Sequence, residues 1–310
     1  MLKTLRRIPF VNWLIRNFLK GSEGILVDIS KHWRIAGAVN INVAGQDIKF
    51  FTQGDDALVD NFFYKRSYVE ENDLWLFSSL AKRSNVILDI GANTGLYSLV
   101  SASGNARAKV YAFEPNPVNF LRLNQNIGVN RFENVTALQQ AVGVEDRDIS
   151  FFVPANDIIS DTSSADRAFS ENTYKGQLQW KEIHVKQTSL STFLNANEIS
   201  AVDLIKIDVE GYEMSVFDGA GDLFERSRPI VLCEVFLDDQ RMQYFDVFLT
   251  RYNYNAYLIL HSGLVLLGSR LVENKDGLNY LFAPGRTKEI YTSFKEMEVL
   301  LSDLKDSSNA

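Results

Sequence analysis

The sequence predicts an α/β fold: a mainly parallel, Rossmann-like sheet with helices on both faces, preceded by an N-terminal helix and hairpin. Three observations carry this reading. From residue 86 onward, short apolar segments alternate with stretches of helical periodicity. Those segments are almost continuously apolar, the pattern of strands buried on both faces. The first of them runs straight into a glycine-containing turn that opens a helix, and open parallel sheets bind ligands at such strand ends.

Taken in order, residues 86–90 form the first strand, 94–103 a helix, 110–113 a strand, and 117–126 a helix that begins with proline. Residues 135–142 contain a third strand. Residues 204–209, 230–235 and 257–260 supply three more with helices between them, and 278–283 closes the series. Ahead of this core, 39–43 and 48–51 flank Ala44-Gly45-Gln46-Asp47 as a hairpin. Phe62, Phe63, Tyr64 and Tyr68 then precede a helix over 73–82 with Leu74, Phe77 and Leu80 inward. The chain divides into an N-terminal extension (1–80) for substrate or dimer contacts, a ligand-binding domain (81–285), and a C-terminal helix with a frayed tail (286–310). The polar stretch 154–182 breaks the alternation, as a lid or binding loop does, or a plain surface insertion.

Composition narrows the function. Of 310 residues, 46% are hydrophobic and 23% charged, ordinary for a globular chain, and the formal net charge of −7 speaks against non-specific nucleic-acid binding. The single cysteine, Cys233, has no partner for an internal disulfide, and no Cys/His group has zinc spacing, which suits a cytoplasmic setting. Lys3, Arg6, Arg7, Arg16 and Lys20 interrupt the apolar residues of the N-terminus, so it reads as neither signal peptide nor membrane span. As a helix it presents Asn12, Arg16 and Lys20 on one line and Phe10, Trp13, Leu14, Ile15 and Phe18 elsewhere. Such a helix lies on an anionic membrane surface, or docks on its own domain or on a second copy in a homo-oligomer.

The main motif is Leu88-Asp89-Ile90-Gly91-Ala92-Asn93-Thr94-Gly95-Leu96-Tyr97-Ser98. A dinucleotide site needs G-x-G-x-x-G, but Asn93 stands at the second glycine position; a P-loop needs a lysine after the glycines, and none follows. The pattern suits a ligand without phosphate, such as S-adenosylmethionine, whose ammonium is met by Asp89 or nearby carbonyls. Glu114, in Phe113-Glu114-Pro115-Asn116-Pro117, follows the glycine turn at the distance where an acid reads ribose hydroxyls. Gln140 and Ala141 lie where an adenine edge sits. The cofactor-binding set is read as Asp89, Gly91, Asn93, Thr94, Gly95, Glu114, Gln140, Ala141 and Asp208, with Gln140 alternatively a plain loop residue.

These segments resemble the FkbM family of S-adenosylmethionine-dependent methyltransferases, from about Tyr68 to Phe236. Leu88–Ser98, Phe113–Pro117 and Leu204-Ile205-Lys206-Ile207-Asp208-Val209-Glu210-Gly211-Tyr212-Glu213 carry the resemblance, with Pro229–Glu234 as a further match. It implies a class I methyltransferase fold, a seven-stranded sheet whose last strand is antiparallel. It also implies methylation of a hydroxyl on a sugar, glycan or natural product, with S-adenosylhomocysteine as the other product.

Asp208, Glu210 and Glu234 cluster at two strand ends that face one crevice. Asp208 is the first choice for general base and Glu234 the second, with Glu210 orienting substrate or Asp208. A helix N-terminus gives Glu213 a structural reason. The rival account makes Asp208, Glu210 and Glu234 oxygen ligands of a divalent metal, but no further Asp-Asn pair accompanies them, and we assign no metal site. His261 follows a strand end and could contact substrate; His184 and His32 show no partner pattern, and Cys233 reads as core. Two other functions compete. An NAD-dependent oxidoreductase or epimerase lacks its middle glycine and a Tyr-x-x-x-Lys pair, and a non-catalytic binding protein would share the fold but not need intact carboxylates.

Overall fold

In the computed structural model the described residues are 14, 36–53, 59, 62, 71–155, 159, 163–165, 179–260, 263–272 and 278–285. The N-terminal and C-terminal helices, His32, His261 and most of the stretch 154–182 lie outside them.

The N-terminal hairpin pairs β1 (Ala36–Val43) with β2 (Gln46–Gln53) around Ala44-Gly45, in the predicted place but longer at both ends. Helix α1 (Glu71–Ala81) leads into β3 (Val86–Ile90), α2 (Leu96–Gly104), β4 (Lys109–Phe113), α3 (Pro117–Asn130) and β5 (Val135–Leu138). The predicted third strand is in fact two. Ala141–Val142, β6, leaves the main sheet and pairs with β8 (Trp180–Thr188), which also pairs with β7 (Arg147–Pro154). The polar stretch at 154–182 is thus the connection of a small antiparallel pair whose strands went unpredicted. The core resumes with α4 (Leu190–Ala196), β9 (Leu204–Ile207), α5 (Glu213–Asp218), α6 (Leu223–Arg226), β10 (Ile230–Glu234), α7 (Asp239–Tyr252), β11 (Tyr254–Leu260), β12 (Gly263–Gly268) and β13 (Asn279–Pro284).

The main sheet has the order β12-β11-β13-β10-β9-β3-β4-β5. Strands β5, β4, β3, β9 and β10 are parallel, and β13 runs against both its neighbours, β10 and β11. The last strand is therefore antiparallel, as expected of the class I methyltransferase arrangement. The expected count of seven becomes eight, because β12 folds back on β11 as an edge strand. Strand order reverses beside β3, which places the ligand crevice at the carboxyl ends of β3, β4 and β9.

Helices cover both faces. On one, Leu88, Ile90, Ile205 and Ile207 pack with Phe193, Phe217, Phe224, Phe245 and Phe248. On the other, Ile87, Leu204 and Leu232 pack with Leu76, Phe77 and Leu80 of α1. The hairpin is no separate unit: Ile41, Ile48 and Phe50 share a core with Leu74 of α1 and Leu96, Leu99 and Val100 of α2. Among the described residues its outer edge is met by side chains. The Phe51 and Lys49 amides donate to Oδ1 of Asn126 and of Asn130 on α3, at 2.7 and 2.8 Å. Fully buried Asn126 also donates to the Thr94 carbonyl at 2.8 Å, tying the hairpin to the glycine turn.

Asn126→Ala leaves the Phe51 amide and the Thr94 carbonyl without partners, and each buried orphan costs about 1–3 kcal/mol. Chemical denaturation should show a loss of at least about 2 kcal/mol, with an unchanged midpoint refuting this fastening.

Candidate active site

The turn after β3 is set by backbone geometry. Gly91 has φ +80, and a Cβ there would lie 1.8 Å from the Asp208 carbonyl oxygen. Gly95, at the start of α2, faces Leu123 Cδ1 at 2.5 Å in the same sense. The space these glycines leave is thus filled by protein, by the end of β9 and by α3, and the turn is pressed against both.

Between them Asn93 adopts φ +52, and its amide donates to Glu114 Oε2 at 2.8 Å. The Asn116 amide donates to Glu114 Oε1, also at 2.8 Å. Glu114 is 4% exposed and burial pushes its carboxyl up to about 7, against the pull of those two amides. Each oxygen retains a lone pair for a further donor. Asn93 Oδ1 is buried without a hydrogen-bond partner among the described residues. Asp89 points beneath the turn, where Ser98 Oγ donates to it at 2.6 Å and burial raises its carboxyl to about 6.

One strand over, Asp208 and Glu234 stand side by side at the ends of β9 and β10, one residue past the Ile207–Cys233 pairing. Glu234 is pushed well above the carboxylate range, first by burial and then by the charge of Asp208. Lys206 Nζ approaches Asp208 Oδ2 at 3.4 Å from within the sheet. Glu210, φ +52, sits in the loop beyond. Its carbonyl accepts from Ser164 Oγ at 2.6 Å, while Ser163 Oγ accepts from Asn116 Nδ2 at 3.1 Å. Residues 163–165, from the polar stretch, therefore cross from the β4 side of the crevice to the β9 side. Glu213 opens α5, accepting from the Gly211 amide at 2.8 Å and facing Arg241 Nε at 3.8 Å. Burial raises it to about 7.

The expected residues are not all gathered. Asp89, Gly91, Asn93, Thr94, Gly95 and Glu114 converge with Asp208. Ala141 is buried in β6, and Gln140 lines an open cavity of about 350 Å³ with residues of β7 and β8, which none of the crevice carboxylates line. Among the described residues no three His, Cys, Asp or Glu are grouped as a metal site, Asp208, Glu210 and Glu234 included. His184 is exposed on β8, and Cys233 is buried core as read.

A family model for the methyltransferase FkbM domain matches residues 89–261, more than half of the chain. The chain belongs to the FkbM methyltransferase family. Every crevice residue from Asp89 to Glu234 falls inside the FkbM domain, while the hairpin and α1 fall outside it. Methyltransferase 1 of Beauveria bassiana is 30% identical over 145 residues, 44% of this chain and 58% of that protein. The hexuronic acid methyltransferase AglP of Haloferax volcanii is 26% identical over 150 residues, 48% and 56% of the two chains. The 2-O-methyltransferase NoeI of Sinorhizobium fredii is 27% identical over 160 residues, 49% and 64%. The chain thus spans less than two thirds of each of these relatives. A solved FkbM methyltransferase from Methylobacillus flagellatus aligns with TM-score 0.43 at 16% identity, over 73% of this chain and 52% of that one. Membership in the FkbM family displaces the NAD-dependent alternative. Among the described residues no helix is long and apolar enough to cross a membrane.

Sequence reasoning missed three parts of the site. Lys206 was legible as a charge inside an apolar strand. Ser98, and the Ser163–Ser164 contacts to Asn116 and Glu210, depend on tertiary placement that no local pattern announces.

Asp89, Glu114 and Glu213 give a pH signature. Their folded pKa values, about 6, 7 and 7, exceed the ordinary carboxylate values, so the folded state holds protons that the unfolded chain has lost. Their contribution is full below the unfolded values and is lost as pH rises through the folded ones. The thermal midpoint of the unliganded protein should fall between about pH 5 and 7, and Glu114→Gln with Glu213→Gln should flatten that fall. A flat native profile would contradict it.

Proposed function

We propose that the chain transfers a methyl group from S-adenosylmethionine to a hydroxyl of a sugar, glycan or natural product, in the cytoplasm. The observation that carries this reading is the adjacency of two strand-end sites across the β3–β9 boundary: Glu114 held by two amides beside Asn93, and Asp208 paired with Glu234. The residues fit the cofactor. Glu114 keeps two acceptor positions suited to vicinal ribose hydroxyls, and the buried Asn93 Oδ1 lacks a donor. The printed names of the relatives point the same way: one is a hexuronic acid methyltransferase, another a 2-O-methyltransferase.

Bound at the crevice, S-adenosylmethionine would supply an electrophilic methyl group on a sulfonium, with the neutral thioether as leaving group. Asn93, the turn that carries it and Glu114 would orient it; positioning of this kind supplies much of the rate in an in-line displacement. Asp208 accepts the proton that the acceptor hydroxyl releases as its oxygen bonds to the methyl carbon. Asp208 serves as the base because a third of its side chain is exposed, with Glu234 next to it at the end of β10. Residues 163 and 164 touch both strand ends, through Asn116 and the Glu210 carbonyl.

The cofactor reading is tested by calorimetry. Glu114→Ala should weaken S-adenosylmethionine binding by about 1.5–3 kcal/mol, as expected for hydrogen bonds to a charged group. Ribose hydroxyls donate to the ionised carboxylate, so native affinity should rise with pH through the Glu114 value of about 7, and Glu114→Gln should abolish that slope. Equal affinity in the folded variants would refute the pose.

The transfer reading is tested on candidate sugars and lipids by mass spectrometry, as a gain of one methyl group. Asp208→Asn should keep cofactor affinity and lower turnover about 100-fold or more. Chelator should leave the native rate intact; a rate lost to chelator and restored by magnesium would make Asp208 a metal ligand instead. Full activity in Asp208→Asn with a dead Glu234→Gln would move the base to β10.

A further inference from the structure

Lys206 is a lysine inside a four-residue strand whose every position is buried. An ammonium taken out of water costs several kcal/mol unless nearby anions compensate. Asp89 and Asp208 supply that charge, and with the Glu234 carboxyl they come from three adjacent strands on one face of the sheet. Asp89 stands opposite Lys206 in the parallel β3–β9 register, Asp208 lies two residues further on, and Glu234 ends β10 alongside. From α2, the Tyr97 ring lies 5.1 Å from the ammonium, and its own edge-on contact with Phe77 of α1 fixes it there.

The three carboxylates differ in what they face. Asp89 is spent on Ser98 beneath the turn and is 1% exposed. The side chain of Asp208 is 33% exposed, against 3% for that of Lys206. The ammonium therefore holds Asp208 from the protein side while its carboxylate opens to the crevice. A core that needed only packing at this position would use an aliphatic residue, as Leu204, Ile205 and Ile207 do on the same strand.

We propose that Lys206 is a positioning residue for methyl transfer: anchored between Asp89 and Asp208, it fixes the Asp208 carboxylate toward the acceptor hydroxyl. The inference rests on Asp208 as the base. Without the ammonium, Asp208 turns freely between Glu234 and solvent, and proton transfer loses its alignment while the cofactor turn, built from backbone, is untouched.

The test reads labelled methyl transfer to a fixed panel of methyl hexopyranosides and methyl hexuronosides, with calorimetry of S-adenosylmethionine alongside. Lys206→Met should lower kcat at least about 30-fold with cofactor affinity within about threefold. Lys206→Gln, which keeps a donor but no charge, stands in where the methionine variant does not fold and should fall between. Lys206→Arg should recover much of the rate. In the Asp208→Asn background, adding Lys206→Met should cost less than about threefold more, since the group it positions is gone. A native kcat in Lys206→Met, or losses that multiply in the double variant, overturns the proposal and leaves Asp208 as base. Full activity in Asp208→Asn, or no transfer by the native chain to any panel member, overturns the base reading and the proposal with it.

Discussion

The close approach of the β3 turn to the end of β9 governs the rest of the site. The Asp208 carbonyl occupies the space where a Cβ of residue 91 would be, and the Asp208 amide donates to Ile90 at 2.9 Å. That contact needs glycine in a left-handed conformation, which side chains resist on steric grounds. Once it is made, the loop that carries Asn93 and the strand end that carries Asp208 are neighbours by construction. Two chemical tasks, holding a cofactor and taking a proton, are brought within reach of each other by one backbone contact.

Burial then sets the electrostatics. Glu114, Glu213 and Asp89 are inside the protein, so each resists ionisation although each accepts hydrogen bonds. Desolvation outweighs hydrogen bonding in all three, the ordering expected when a carboxyl loses water entirely and gains only two or three amide or hydroxyl donors. Asp208 is placed differently: a third of its side chain meets solvent and the Lys206 ammonium stands behind it. The division of roles within the cluster, one open carboxylate among closed ones, follows from exposure rather than from residue type.

Much of this was legible in the sequence. The strand–turn–helix segment from Leu88 to Ser98 is local, so its pattern survives without knowledge of the fold, and α1 and the hairpin were readable from periodicity and turn residues for the same reason. The small sheet was not. The alternation is short and interrupted: in β7 it ends in Phe151-Phe152-Val153-Pro154, all buried, and in β8 it runs only from Glu182 to Lys186 between exposed Lys181 and buried Gln187-Thr188. Edge strand β12 escaped because Leu264-Val265-Leu266-Leu267 has no polar alternation, with Val265 and Leu266 more than two fifths exposed. Register was the other missing quantity: that Asp89 faces Lys206 across β3 and β9 follows only from the pairing of the strands.

The segment from Lys206 to Glu213 shows why a short run of residues can mark a family. Lys206 must be basic to stand among buried carboxylates, and Ile207 must be apolar because the strand alternates to the opposite core. Asp208 is the first residue past the pairing, where a side chain can reach the crevice. Glu210 takes a left-handed backbone, φ +52, a strained choice for a residue with a Cβ and one tolerated chiefly where surroundings over-determine it. Here the Ser164 hydroxyl on its carbonyl and the Arg241 guanidinium on the next carbonyl, at 3.1 Å, supply that constraint. Glu213 closes the loop by accepting the Gly211 amide at the head of α5. The spacing is therefore that of a strand end, a tight reversal and a helix start, each demanding a particular chemistry, and no position can slip by one without moving Asp208 out of the crevice.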